Sequence, residues 1–212
     1  MTRLAVLGGG KMGAALVSGL LASGWATAEE ILVVEPVAGR RDELVAAYPG
    51  LGVAAEVAAG AEGAVVAVKP ADVEVACRAL AGAGIGRVLS IAAGVRLADL
   101  ESWLGEGTAV IRAMPNTPAL VGCGAAAISA GAAATDDDLA WAEEILAAVG
   151  KVERVPEKLL DAVTAVSGSG PAYVFYFLEA LQRAAVDLGF DEAAARRLAY
   201  ATFSGSVALA ES

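Results

Sequence analysis

The sequence predicts an α/β fold in which a doubly wound parallel sheet is followed by an all-helical region. Through the first half of the chain, short apolar runs alternate with helical patterns, which is typical of a parallel sheet with helices on both faces. From Pro171 to Glu211 the pattern is almost wholly helical, with a break near Gly189. The chain of 212 residues is long enough for a sheet domain of about 150 residues and a smaller helical unit.

Five continuous apolar runs are the predicted strands, because strands that are covered on both faces lack polar alternation. These strands are Leu4–Leu7, Ile31–Val34, Ala64–Val68, Val88–Ile91 and Ala109–Ile111. Amphipathic or Ala-rich segments between them predict helices. These helices are Met12–Leu21, Arg40–Tyr48, Asp72–Ala81 and Leu97–Leu104. The first half of the chain therefore supplies a sheet and its covering helices.

The pattern changes at about Thr135. Aspartates follow Thr135 directly, so a threonine or aspartate side chain can cap a helix whose first turn is acidic. Val152 and Val155 are predicted to lie in a last strand, and Pro156 allows a new helix to begin.

The predicted domain boundary lies near Pro156. The sheet domain is predicted to comprise residues 1–155 and the helical domain residues 156–212. Ala208–Ser212 has a mid-helix pattern without a C-cap signal, so we expect the natural gene product to be longer and the helical domain to be incomplete here.

Composition and charge argue against several classes of protein. The net charge of −10 repels a phosphate backbone, so nucleic acid is not an expected partner. Membrane spans need about 18 or more strongly apolar residues in a row, and no such run occurs. Val121–Ala134 is apolar but mostly Gly and Ala, which indicates packing. Gly8–Lys11 interrupts what would be the apolar region of a signal peptide, so a cytoplasmic location is predicted.

The absence of His restricts the chemistry. Ser-His-Asp and Cys-His catalysis and His-ligated zinc are excluded, so acid–base steps must use other side chains or the substrate. Cys77 and Cys123 fit no metal spacing and no redox motif. They are predicted to be small core residues, with a reactive thiol as the alternative, and no metal is expected.

A glycine-rich segment follows the first predicted strand and begins a helix. Gly8–Gly13 fits the pattern Gly-x-Gly-x-x-Gly, with Lys11 and Met12 inside it. In such a turn, Gly8 permits the sharp bend, Gly10 lets a pyrophosphate approach the backbone, and Gly13 allows close packing of helix and strand. The helix N-terminus offers N–H groups to the phosphates. This context predicts dinucleotide binding, and the alternative is a plain glycine-rich turn.

The second predicted strand leads into Glu35. A carboxylate at this position can accept hydrogen bonds from ribose hydroxyls, which favours NAD, and it repels a 2′-phosphate. Arg40 and Arg41 follow closely and could offset that repulsion, or they could be a solvated start of the next helix. The sequence alone therefore leaves the choice between NADH and NADPH open.

Ligands of open parallel sheets bind beyond the carboxyl ends of the strands. Three loops follow such ends, at Ala67–Pro70, Ala92–Gly94 and Arg112–Pro118, and their small residues would let a nicotinamide ribose lie close. Lys69 is either a proton donor or a solvated side chain before a helix that Pro70 begins. Asn116, between two prolines, could donate to a carboxylate or carboxamide, or could form an Asx-type turn.

A second glycine-rich segment lies between two predicted helices. Ser167, Gly168, Ser169 and Gly170 precede Pro171, which suits a first helical turn. Their N–H groups and hydroxyls could form an anion pocket. Alone, this segment is only a break between helices.

Taken together and in this order, these segments resemble pyrroline-5-carboxylate reductases. The resemblance spans residues 3 to about 205 and rests on Gly8–Gly13, Ala67–Pro70, Ala92–Gly94, Arg112–Pro118 and Asp161–Tyr173. It implies a Rossmann-type domain followed by a helical dimerisation domain in which helices of two subunits interlock, and further assembly of dimers, often to decamers. It also implies reduction of 1-pyrroline-5-carboxylate to L-proline, the last step of proline biosynthesis, with NADPH or NADH as cofactor.

The resemblance also implies roles for individual residues. The glycine turn and Ala67, Val68, Lys69 and Pro70 would line the dinucleotide. Ala92, Ala93 and Gly94 would lie near the nicotinamide. Glu157 and Thr164 would lie near the substrate imine or its carboxylate, Glu157 stabilising the iminium charge and Thr164 relaying a proton.

One feature of the family does not occur in these residues. The family carries a Gly-Gly-Thr-Thr-type segment further along the chain, whose threonine contacts the substrate, and the sequence contains none. Two alternatives therefore stay open at this point. One is a related reductase that acts on a hydroxyacid or a deazaflavin, and the other is a dinucleotide-binding protein without catalytic activity.

Overall fold

An eight-stranded sheet dominates the first of two compact units, Met1–Gly168, and a pair of helices forms the second, Ser169–Ser212. The computed structural model describes every residue, Met1–Ser212. The first unit thus ends at Gly168, whereas the sequence predicts a domain boundary near Pro156. The boundary near Pro156 stays a prediction.

The strands of the sheet lie in the order β3-β2-β1-β4-β5-β6-β7-β8. Their bounds are β1 Leu4–Leu7, β2 Ile31–Val34, β3 Gly52–Ala54, β4 Gly63–Val66, β5 Arg87–Ser90, β6 Ala109–Pro115, β7 Gly124–Ala130 and β8 Gly150–Arg154. All neighbours are parallel except β6 and β7, which are antiparallel. The order reverses at β1 and β4, so the carboxyl ends of these two strands flank the crevice where such sheets bind ligands.

Six helices accompany the sheet. They are α1 Lys11–Ala22, α2 Ala38–Ala47, α3 Val73–Gly82, α4 Leu97–Leu104, α5 Asp136–Ala147 and α6 Leu160–Val163. Helices α1, α2 and α5 cover one face of the sheet, and α3 and α4 cover the other. Two apolar cores result, one on each face, which explains why the central strands are apolar without alternation. The predicted doubly wound fold is confirmed.

Most of the predicted elements of this unit are confirmed within a few residues. Thr135 caps α5 as predicted, in a capping box with Asp138. The short β3 was not predicted, and β6 extends through Pro115 instead of ending at Ile111. The segment Val121–Ala134 contains the whole of the antiparallel strand β7.

The cysteines differ in environment. Cys77 is buried in the core between α3 and the sheet, as predicted, and burial raises the pKa of its thiol to about 11. Cys123 is exposed in the turn before β7, so the prediction of a core residue was wrong there. The reason is that Cys123 lies at the end of a short turn that passes over the surface.

The second unit consists of α7 Gly170–Asp187 and α8 Glu192–Ala210. As predicted, Pro171 lies in the first turn of a helix and the pattern breaks at Gly189, which has a φ of +100°. The two helices pack through an edge-to-face contact of Phe177 and Phe203. No helix of the chain combines the length and the hydrophobicity that a bilayer crossing requires.

Candidate active site

The glycine turn connects β1 to α1 at the point where the strand order reverses. Gly8 has a φ of +102°, which L side chains rarely adopt, and a Cβ on it would lie 2.7 Å from the carbonyl oxygen of Ala67. A Cβ on Gly13 would lie 2.0 Å from the carbonyl oxygen of Gly8. Both glycines are therefore required by close backbone packing of β1, α1 and the end of β4.

Gly10 has a different environment. A Cβ on Gly10 would meet no atom within 4 Å, so the space beside the turn is open. Gly10 is the N-cap residue of α1, and no side chain of the protein caps that helix. The first N–H groups of α1, at Lys11 and Met12, are thus available to an anion. These residues fit a pyrophosphate, and a side chain on Gly10 would occupy its place.

Glu35 follows β2 and is held beside the glycine turn. Its side chain is buried, and its Oε2 accepts from the N–H of Gly9 at 3.0 Å while its Oε1 accepts from the N–H of Val37 at 3.0 Å. The sequence predicted a carboxylate that points to the ribose. The structure places it at the correct end of the sheet and shows in addition that two backbone bonds fix its direction.

The two arginines after Glu35 are both hydrogen-bonded within the chain. Arg40 donates from Nε to the carbonyl of Gly9 at 2.6 Å and forms an ion pair with Glu43 at 2.6 Å. Arg41 donates from Nη1 to the carbonyls of Glu35 and Pro36 at 2.9 and 2.7 Å. Neither is simply a solvated start of helix α2, because each guanidinium holds the backbone around Glu35.

A cavity of about 530 Å³ opens beside Glu35, between the ends of β2 and β4 and helix α3. Its lining is mostly apolar and consists of Leu7, Val34, Pro36, Ala55, Glu56, Val57, Val68, Asp72, Val75, Ala76 and Ala79. Pockets of roughly 300–1,000 Å³ suit small ligands. The cavity therefore suits the apolar base at one end of a dinucleotide.

The loops after β4 and β5 lie at the same edge of the sheet. Ala67 and Val68 are half-buried, while Lys69 is exposed and precedes a short 3₁₀ turn, Pro70–Asp72. The structure shows no partner that would make Lys69 a proton donor, and a solvated side chain at the start of a helical turn fits better.

The loop Ala92–Gly94 after β5 consists of small residues, and the resemblance implies that the nicotinamide lies near it. Ala92 is buried and its N–H lies 3.4 Å from the hydroxyl of Ser90, whereas Ala93 and Gly94 are exposed and Gly94 has a φ of +78°. At the start of α4, the hydrogen bond from Arg96 lowers the pKa of the Asp99 carboxyl.

Strand β6 contacts the segment Glu157–Gly168 through Arg112. Arg112 is 5% exposed, and its guanidinium forms ion pairs with Glu157 at 3.0 Å and Asp161 at 3.3 Å. Glu157 also accepts from the N–H of Leu97 at 2.7 Å, where α4 begins. Glu157 thus joins β6 to α4 through its Oε1, and its Oε2 has no hydrogen-bond partner in the chain.

Asn116 holds the other end of the same segment. Its Nδ2 donates to the carbonyl and the hydroxyl of Ser167 at 3.2 and 3.1 Å, and its Oδ1 accepts from the N–H of Ala125 at 2.8 Å. Met114 lies between, because a Cβ on Gly168 would meet its Cε at 2.7 Å. Asn116 does not cap the 3₁₀ turn that follows it, so the Asx-type alternative is not observed.

Alternate residues of β6 explain why this stretch of sequence is unusual. Side chains of a strand alternate between faces, so Arg112 and Met114 of β6, and Asn116 directly after it, point to one side, where the segment Glu157–Gly168 lies. Sequence reasoning treated Arg112–Pro118 as a loop and missed these contacts. An arginine directly after a predicted buried strand was the available signal, since a buried cation requires carboxylate partners.

The segment Thr164–Gly168 is π-helical, a form that is frequent at functional sites. The hydroxyl of Thr164 donates to the carbonyl of Leu160 at 3.0 Å. The structure brings Asn116, Ser167 and Gly168 together within the first unit. Ser169 and Gly170 belong to the second unit, at the start of α7.

The parallel sheet with its strand reversal, the glycine turn before an uncapped helix, and the carboxylate after β2 define a dinucleotide-binding protein of the Rossmann type. Family models match both parts of the chain. Residues 157–212 match pyrroline-5-carboxylate reductase dimerisation, and residues 3–94 match NADP oxidoreductase, coenzyme F420-dependent.

Relatives and solved structures narrow the class. A pyrroline-5-carboxylate reductase of Mycobacterium tuberculosis is 43% identical over 99% of this chain and 74% of its own length, and one of Synechocystis is 44% identical over 98% and 78%. A structure of the enzyme from Coxiella burnetii, 34% identical, superimposes with a TM-score of 0.92 over 99% of this chain and 79% of its own. A structure of the enzyme from Plasmodium falciparum with NADP bound, 27% identical, superimposes with a TM-score of 0.87 over 99% of this chain and 79% of its own. The chain belongs to the pyrroline-5-carboxylate reductase family.

Proposed function

We propose that this protein reduces 1-pyrroline-5-carboxylate to L-proline with hydride from NADPH or NADH, the last step of proline biosynthesis. The observation that carries this proposal is the open space at Gly10 beside the uncapped N-terminus of α1, in a chain of this family. Membership of the family supplies the substrate, and the glycine turn supplies the cofactor site.

The reaction adds a hydride and a proton across a C=N bond. The reduced nicotinamide gives the hydride to the ring carbon and is itself oxidised. Protonation of the ring nitrogen makes that carbon electrophilic, and because an imine is basic it can arrive already protonated, so the absence of His is no obstacle. The protein mainly supplies proximity, with the reacting atoms about 3–3.5 Å apart.

The residues around the cofactor have mainly a binding role in this proposal. The glycine turn, with Gly8, Gly10 and Gly13, binds the pyrophosphate, and the loops Ala67–Pro70 and Ala92–Gly94 leave room for the nicotinamide ribose. Ala93 and Gly94 are small and exposed, which supports this role because they leave the edge of the sheet uncovered.

The segment Glu157–Gly168 has the substrate role. We assign Glu157 to the iminium charge, which its Oε2 can face because only Oε1 is engaged by Arg112 and Leu97. The hydroxyl of Thr164 is assigned to proton relay. Backbone N–H groups and hydroxyls of Ser167, Gly168, Ser169 and Gly170 are assigned to the substrate carboxylate, with Asn116 contributing by holding Ser167.

Assembly is part of the proposal. Residues 157–212 match a dimerisation model, and the helices of the second unit expose large apolar side chains. We propose a homodimer through these helices, further assembly of dimers to a decamer, and a cytoplasmic location.

The proposal is tested by following NADPH or NADH absorbance with 1-pyrroline-5-carboxylate. We expect oxidation that depends on the substrate and yields proline. A screen with hydroxyacids and a deazaflavin runs in parallel. Turnover of one of these instead of the imine, or cofactor oxidation without substrate, contradicts the proposal.

A pair of glycine variants tests the cofactor site separately. Gly10→Ala places a methyl group in the phosphate space and is expected to weaken dinucleotide binding at least about tenfold, with the melting temperature unchanged. Gly82→Ala at the end of α3, where a Cβ also meets nothing within 4 Å, is the matched control and should bind normally. Equal binding by the two variants would show that the turn does not hold the pyrophosphate.

A further inference from the structure

We propose that this protein selects NADH over NADPH and that Glu35 sets the selection. The inference rests on the proposed function, since it concerns the cofactor of that reaction. The sequence left the choice open because Arg40 and Arg41 could offset the charge of Glu35. The structure shows what each of these three side chains contacts.

The first step is the rigidity of Glu35. Its side chain is 9% exposed, and its two oxygens accept from the N–H groups of Gly9 and Val37. Gly9 is itself buried, and a Cβ on it would lie 3.4 Å from Oε2 of Glu35. Moving the carboxylate away would leave a buried N–H without a partner. The negative charge is therefore fixed beside the glycine turn.

The second step is the charge of the neighbouring cavity. Pro36, directly after Glu35, lines the cavity beyond β2, so a base bound there places its ribose at Glu35. Glu56 and Asp72 are the charged residues of the lining, and no lysine or arginine belongs to it. A 2′-phosphate on that ribose would meet carboxylates, whereas a free 2′-hydroxyl can donate to Glu35.

The third step is the state of the two arginines. Arg40 already has a carboxylate partner, Glu43, at 2.6 Å, and its Nε is engaged by the carbonyl of Gly9. Arg41 has two backbone carbonyls as partners and no carboxylate, so it is the cation of this loop that favours a phosphate. A 2′-phosphate would be attracted by the guanidinium of Arg41, which is already hydrogen-bonded, and repelled by the fixed carboxylate of Glu35 and by the acidic lining. The sum of these charges favours NADH, which lacks the 2′-phosphate.

The selection is inferred for this chain alone, since the Plasmodium falciparum relative was solved with NADP bound and residues 3–94 match an NADP oxidoreductase model. In this chain a buried carboxylate follows β2, and the next position holds Pro36, which carries no charge.

Binding of the two cofactors to the intact chain tests the inference without turnover. Titrations with NADH and NADPH, followed by calorimetry, are expected to give about 10-fold to 100-fold tighter binding of NADH. Glu35→Gln removes the charge at nearly constant shape and should narrow that ratio at least about tenfold. Glu106→Gln, an exposed carboxylate in the loop before β6 and outside the cavity lining, is the matched control and should leave the ratio within about threefold. Arg41→Ala should weaken NADPH further and leave NADH nearly unchanged.

The possible outcomes separate the two proposals. Wild-type protein that binds NADPH as tightly as NADH, or more tightly, overturns the selection, and so does a Glu35→Gln variant with an unchanged ratio. If Glu35→Gln does not fold, the wild-type ratio and the Arg41→Ala variant still decide. Binding of neither cofactor contradicts the proposed function and the inference with it.

Discussion

The two units of the chain differ in what covers their apolar side chains. In Met1–Gly168 helices lie on both faces of the sheet, and the central leucines and valines are fully buried. In Ser169–Ser212 the buried apolar residues are Leu178, Ala195 and Ala199. The large apolar side chains exposed on these two helices and the connection between them are Tyr173, Val174, Phe175, Tyr176, Phe177, Val186, Leu188, Phe190, Leu198, Tyr200, Val207 and Leu209.

This difference shows which unit has its own core. A sheet covered on both faces buries its apolar surface within the chain, whereas two helices alone bury too little to be stable. Helices that are apolar on most sides require a further surface to cover them. The homodimer proposed above supplies such a surface, and the match of residues 157–212 to a dimerisation model agrees with it. The same type of substitution should therefore have different consequences in the two units.

The largest effect is expected from the core of the sheet. Leu89 on β5 is 0% exposed, and Leu89→Ala should lower the free energy of unfolding by about 2–5 kcal/mol because it leaves a cavity. Leu188→Ala, at 81% exposure after α7, is the matched control and should change it by less than about 0.5 kcal/mol when both variants are compared as monomers. Urea unfolding followed by circular dichroism measures both. Equal losses would break the contrast between the units.

The second-largest effect is expected from a substitution on the exposed apolar face of the helices in the second unit. Val174 on α7 and Val45 on α2 are both partly exposed valines, 43% and 51%. If the helices form the dimer interface, Val174→Glu buries a charge there and should weaken self-association about 100-fold or more. Val45→Glu is the control and should not change it. Sedimentation over a range of protein concentrations measures the association. A Val174→Glu variant that associates as the wild type would place the interface elsewhere.

Much of this organisation could be predicted from the sequence. The runs Leu4–Leu7 and Ile31–Val34 were strands with the predicted bounds, and the predicted helix Leu97–Leu104 is also confirmed without change. These elements have strong local patterns, with apolar runs or helical periodicity next to glycines. The position of Glu35 could be predicted in the same way, because Glu35 directly follows the apolar run Ile31–Val34 that forms β2.

Other parts of the fold had no local signal. Strand β7 consists of Gly, Ala, Ser and one Ile, and such residues have little preference for strands, so its pairing with β6 decides its structure. The partners of Arg112 lie 45 and 49 residues away in the sequence, at Glu157 and Asp161. No spacing rule identifies contacts at such distances. The bonds that fix Glu35 and engage the arginines likewise required the structure.

A smaller effect is expected from ion pairs, which also differ between the units. Arg112→Met removes a buried guanidinium that holds Glu157 and Asp161, and should destabilise the first unit by about 1–3 kcal/mol. The lower end is included because Asp161 is exposed and can be hydrated. Arg183→Met removes an exposed pair with Glu179 on α7 and should cost less than about 0.5 kcal/mol. Thermal unfolding measures the stability of both variants. A larger loss of stability for Arg183→Met than for Arg112→Met would contradict the prediction that the buried ion pairs contribute more.

Arg112 has a second, functional readout. If it positions Glu157, Arg112→Met should lower kcat more than it raises KM for 1-pyrroline-5-carboxylate, and Arg112→Lys should restore part of the loss. A variant that is destabilised but has normal kinetics would show that the ion pairs only stabilise the fold.

The smallest effect concerns the two thiols, which report on the first unit alone because the second contains no Cys. Cys123 is exposed and should react within seconds with a thiol reagent, so it serves as an internal control. Cys77 is buried and should react only when the sheet unit opens. A Cys123→Ser variant isolates that slow reaction. Fast labelling of Cys77 would show that the core of this unit is less well closed than its burial indicates.

The pKa of Cys77 adds a dependence of stability on pH. Burial raises that pKa to about 11 in the folded protein, above the ordinary value for an exposed thiol. The unfolded chain therefore releases the proton first, and the contribution of Cys77 to stability is fully present below about pH 8.5 and declines as the pH rises toward 11. Cys77→Ala removes this dependence. Urea unfolding between pH 8 and pH 10 should show the decline in the wild type and a smaller decline in Cys77→Ala, and parallel curves would mean that the thiol does not remain protonated in the core.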